Sequence, residues 1–136
     1  MTLTKVPHEL IRLAIADLEK TEKDPRYVID MGEWHAPQND GVCAVCLAGS
    51  VMAQTLKAPI NDFLEPYDDR SNWHQYEALD WFRSGAIEEA FRVLGLKVPE
   101  GLEDFDETQY GKDPVKFKAE MLSLADRIEV VLKGEK

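Results

Sequence analysis

Two cysteines three positions apart, Cys43 and Cys46, with His35 shortly before them and His74 after, are the side chains whose types and spacing could do chemistry. Thiolates and imidazoles are ordinary zinc ligands, and a fourth ligand could come from His74, Glu33 or Asp40. The pattern matches a zinc knuckle only in part, because Ala44, Val45, Leu47 and Ala48 supply no Gly or Pro bend and no second cysteine pair follows. The same residues could support thiol catalysis. A cysteine at a helix N-terminus feels the positive end of the dipole, which favours thiolate, so Cys46 or Cys43 would be the nucleophile and His35 or His74 its base. Against both stands packing. Free cysteine is among the most often buried residue types, and this pair lies in a run without charge. Core packing is the first reading; no catalytic residue, metal or cofactor is assigned, and zinc and thiol chemistry stand as alternatives.

That run, GVCAVCLAGSVMAQTL (41–56), sets the expected architecture. An uncharged segment too short to span a bilayer reads as a buried helix over about 42–57, stopped by Pro59, with Asn39 or Asp40 as its cap. Gly49 inside it would weaken the helix, a loss explained if a neighbour's backbone or side chain fills the space of its missing Cβ. Around this centre the periodicity predicts further helices. One spans 7–20, with Pro7 at its first position, Leu10, Ile11, Ala14, Ile15 and Leu18 facing inward, and Arg12, Asp17, Glu19 and Lys20 facing away. Another spans 72–94 with a break near Gly85. The last, 113–133, is capped by Asp113, with Phe117, Met121, Leu124, Ile128 and Val131 repeating at helical spacing. Tyr27 to Asp30 is the only β-favouring run, too short for more than one extended element. The expected fold is a mainly α, single-domain helical bundle over 1–136 around the buried central helix, with room for one short β element.

Composition restricts the function classes. A formal net charge of -10 and a pI near 4.7 in 136 residues repel phosphate backbones, and no basic patch offsets this, so direct nucleic-acid binding is not expected. No apolar stretch has the length of a spanning helix or a secretion signal, which implies a cytoplasmic protein without a membrane partner. Two cysteines in a reducing compartment do not form a structural disulfide.

Short stretches carry resemblances. VCAVCLAGS faintly resembles the papain-type context, with Cys46 in the nucleophile's place, although Leu47 stands where an aromatic would follow and His74 is much nearer than that family's histidine. The zinc-deaminase order is reversed in Glu33-Trp34-His35. EWHAP followed by GVCAVCLAGSVMAQTL resembles small acidic proteins of tailed bacteriophages and prophages, over residues 33–56 only. That resemblance implies an accessory protein acting on a bacterial host component, and it supplies no catalytic residue.

The reading adopted is therefore a non-enzymatic protein-binding factor. Its candidate contact residues are the aromatics Trp34, Tyr67, Trp81 and Tyr110 and the acidic run including Glu103, Asp104, Phe105 and Asp106, whose charges with an apolar anchor would suit a basic groove. Homodimerisation through an apolar helix face is a further option.

Overall fold

In the computed structural model, which describes residues 6–61, 63, 86–98 and 107–134, Pro7 opens the first helix, α1 (Pro7–Glu22). Its fixed φ suits the first helical turn, whose amide has no acceptor in any case. Leu10, Ile11, Ala14, Ile15 and Leu18 are buried on one stripe, as the spacing predicts. Asp17, expected on the solvent side, is buried too.

The next segment overturns the all-helical expectation. Three short strands, β1 (Tyr27–Ile29), β2 (His35–Pro37) and β3 (Cys43–Val45), form a mixed sheet in the order β1-β3-β2. β1 runs parallel to β3, with Tyr27 opposite Cys43 and Ile29 opposite Val45. β2 runs antiparallel to it, with His35 opposite Val45 and Pro37 opposite Cys43. Asp40 does not cap a helix. Its carboxylate accepts the Val42 N–H (3.1 Å) within the 38–42 turn, where Gly41 has φ 86°, a left-handed conformation that suits glycine.

The apolar run 41–56 is thus half strand, half helix. Only after β3 does α2 (Leu47–Gln54) begin, capped by Cys46. The fold is mixed α/β, not a helical bundle. The sequence pattern misleads for a physical reason: β3 is buried at all three positions, so both of its faces are apolar and the two-residue alternation that marks a half-exposed strand is lost. α2 is likewise buried from Leu47 to Ala53. Two fully buried elements in succession read as one.

Beyond α2, α3 (Ala86–Val93) buries Ile87 and Phe91 and ends at Gly95, whose φ of 71° turns the chain so that the Leu96 N–H donates to the Phe91 carbonyl (3.0 Å). The expected first part of this helix, 72–85, lies outside the described residues. A 3-10 turn (Glu107–Gly111) leads to α4 (Pro114–Leu132), where Asp113 accepts the Lys116 N–H (3.0 Å) as the N-cap. Phe117, Met121, Leu124, Ala125 and Ile128 are buried on the side packed against α1. Ion pairs edge that contact: Arg12 reaches Asp126 and Glu129 (both 2.7 Å), and Lys118 reaches Glu22 (2.8 Å). Helix α1 therefore lies between α2 and α4, and both α1, through β1, and α2, through β2 and β3, pack on the sheet. Among the described residues, no helix is long and apolar enough to cross a membrane.

Candidate functional site

Register determines which side chains meet on the sheet. Residues directly opposite one another project from the same face, so Tyr27, Cys43 and Pro37 form one row and Ile29, Val45 and His35 the next. His35 is then the diagonal neighbour of Cys43. The Cys43 Sγ lies 3.7 Å from Nδ1 and 3.8 Å from Nε2. Near-equal distances to both nitrogens mean the sulfur touches the ring without being aimed along either lone pair. Tyr27 completes the row, edge-on to His35 with centroids 6.5 Å apart, and the Arg26 guanidinium lies 5.6 Å from the Tyr27 centroid.

Burial decides what this group can do. His35 and Cys43 are each 0% exposed. Burial pushes the Cys43 thiol up to about 11, and the opposing hydrogen bond from the Ala36 backbone does not restore it. Burial also raises the Tyr27 hydroxyl, with Arg26 opposing. Near neutral pH Cys43 is a protonated thiol sealed in a sheet, which is neither a ready nucleophile nor a ready metal ligand.

Cys46 occupies a different environment. It follows β3 in extended conformation, and its Sγ accepts the Gly49 N–H (3.4 Å), the role a Ser or Asp oxygen usually fills at an N-cap. Its carbonyl accepts both the N–H and the hydroxyl of Ser50 (2.9 Å each). At 4% exposure it belongs to the apolar cluster shared with α1, from which Cys43 is absent. Cys43 thus lies in the strand and Cys46 at the start of the helix that follows it. The two sulfurs serve different neighbourhoods.

Gly49 bears out the reading that something fills its missing Cβ. A Cβ built there would land on the Trp34 carbonyl oxygen and within 3.0 Å of the Val45 Cβ. α2 thus rests on the backbone that delivers His35 to β2. Trp34 itself is half-buried against the core, and Tyr110 is half-buried with its ring edge-on to Phe117 (5.9 Å) and its hydroxyl bonded to Glu22. His74, Tyr67, Trp81, Glu103, Asp104, Phe105 and Asp106 lie outside the described residues. Glu33 is half-buried and Asp40 exposed in its turn. Among the described residues, no three His, Cys, Asp or Glu side chains are grouped to hold a metal ion.

Sequence reasoning missed a polar contact between α1 and α2. Asp17 accepts the Thr55 hydroxyl, while the Thr21 hydroxyl donates to the Asp17 carbonyl (2.8 Å) and accepts from Gln54 Nε2 (3.3 Å). The signal was available: Asp17 stands seven residues after Leu10 and three after Ala14, which places it on the inward stripe.

One exposed feature also emerged. Along the outer side of α4, Val115, Leu122 and Val130 are 75%, 40% and 47% exposed. Val115 and Leu122, seven apart, fall nearly in line, whereas Val130, eight further on, is rotated by about 80° from Leu122 on the same solvent side. Comparison with protein-family models, curated proteins and solved structures finds no match.

Proposed function

We propose that this chain is a non-enzymatic, protein-binding accessory factor acting in the cytoplasm, with the outer side of α4 as its contact surface. The observation that carries the reading is the exposure of the apolar side chains Val115, Leu122 and Val130 on one helix of a strongly acidic chain. Exposed apolar side chains spread over a helix length suit a partner protein better than a small substrate. The resemblance of residues 33–56 to phage proteins supports a bacterial host component as the partner. The test is affinity capture from bacterial lysate at physiological salt, with V115E/L122E as the control. The wild type should retain a stoichiometric partner that the variant, folded by circular dichroism, loses. Failure to retain any partner, or equal retention by the variant, sinks the proposal.

A second reading has its own support. Cys46 caps α2 directly after the central strand, with its sulfur accepting the Gly49 N–H, which places the thiol at the positive end of a helix. In that reading Cys46, not Cys43, is the reactive thiol. Iodoacetamide should then label the native chain at Cys46, and a chain in which Cys46 resists labelling until unfolded excludes it.

A further inference from the structure

The polar contact between α1 and α2 is more than a satisfied set of hydrogen bonds. The Asp17 side chain is 1% exposed, yet among the described residues its Oδ1 has no hydrogen-bond donor. Its Oδ2 accepts only the Thr55 hydroxyl among the described residues (2.5 Å). Two cations act on the carboxyl. Lys20, on α1 itself, brings its Nζ to 3.8 Å from Oδ1, but that side chain is largely in solvent. Lys57, which follows α2 in a left-handed conformation, φ 57°, is the second. β1 and α4, which also pack on α1, add no charge to it among the described residues.

A carboxylate so placed keeps one oxygen bare in a dry environment, and the ionised form bears that cost most heavily. Its one partner is a hydroxyl, which can accept as readily as donate, so protonation reverses the Thr55 hydrogen bond without breaking it. We propose that Asp17 and Thr55 form a proton-operated latch that fastens the C-terminal end of α2 to α1 when Asp17 is neutral and loosens when it ionises. Burial raises the Asp17 carboxyl above its ordinary range, with Thr55 and then the two lysines opposing. The folded chain then holds a proton that the unfolded chain has lost. The contribution of Asp17 to stability is therefore greatest below the unfolded value of about 3.9 and falls as pH rises through the folded one. The latch lies at the opposite end of α2 from Cys46 and is independent of any partner on α4.

Three measurements test it. The Asp17 carboxyl carbon, followed by NMR in the wild-type chain, should titrate above the ordinary value of about 3.9, and a midpoint at or below that value overturns the latch. Thr55→Val removes the one hydroxyl partner and should move the midpoint further up; an unmoved midpoint overturns it. Amide exchange at Thr55 and Leu56, both bonded to the Val51 carbonyl, should slow about tenfold per unit of midpoint shift on acidification, beyond the intrinsic effect. D17N should lack that response, and equal responses in the two chains overturn the proposal.

Discussion

Residues 43–54 and helix α4 bury comparable apolar stretches by opposite means. In β3 and α2 every position from Cys43 to Ala53 is buried, charge is absent, and fit depends on a backbone-to-backbone approach at Gly49. In α4 only one stripe is buried, the rest is solvated, and the margins are held by Arg12 and Lys118. A segment enclosed on all sides has no direction in which to relax, whereas an amphipathic helix can shift a side chain toward water. The first region should be intolerant of added atoms, and the second should respond to mutation in small steps.

Gly49→Ala is the strongest test of that contrast. The new methyl meets the Trp34 carbonyl, a backbone group that cannot swing aside, so a loss of about 3–5 kcal/mol in urea unfolding is expected. Gly95→Ala, where nothing stands within 4 Å and only the positive φ is at stake, should cost about 1 kcal/mol. Equal losses would break the comparison. Cys43→Ser comes next: a hydroxyl placed at the sealed His35 contact should cost about 1–3 kcal/mol, whereas Cys46→Ser, which restores a conventional cap oxygen, should change stability by less than about 1 kcal/mol. Asp113→Ala removes the α4 cap and should cost about 1 kcal/mol, readable as a lower urea midpoint.

Arg12→Ala should have the smallest effect and the clearest pH signature. Hydrogen bonds from Lys133 and then Arg12 hold the Glu129 carboxyl down at about 2. Its folded value lies below the unfolded one, so its contribution is present above the ordinary glutamate range and is lost as pH falls toward about 2. The variant should lose part of that dependence, and salt should shrink the difference because the pair is open to solvent on one side. A difference that persists undiminished at high salt would show that Arg12 acts through packing.

The contrast also explains what could be read from the chain. α4 and α1 were legible almost to the residue, because one solvated face leaves a helical period in the sequence and Pro7, Asp113 and Pro114 mark their starts. The 43–54 region was legible as buried but not as strand and helix, since complete burial erases both periods and a cysteine cap looks like any core residue. His35 and Cys43 were named as candidates and do meet. What the sequence could not convey was that they meet diagonally across a strand pair, inside the sheet. Asp17 was misplaced because its charge outweighed its position on the stripe.

The strand order has a consequence for synthesis. β1 and β2 bond to β3 and not to each other, and β3 is the last of the three to leave the ribosome. A nascent chain that stops before Cys43 has two extended segments with no mutual pairing, and the sheet closes in one event when the third arrives between them. Until Cys43–Val45 is free to pair, the Tyr27 and His35 segments are therefore strands without a partner in the sheet, waiting for their common neighbour.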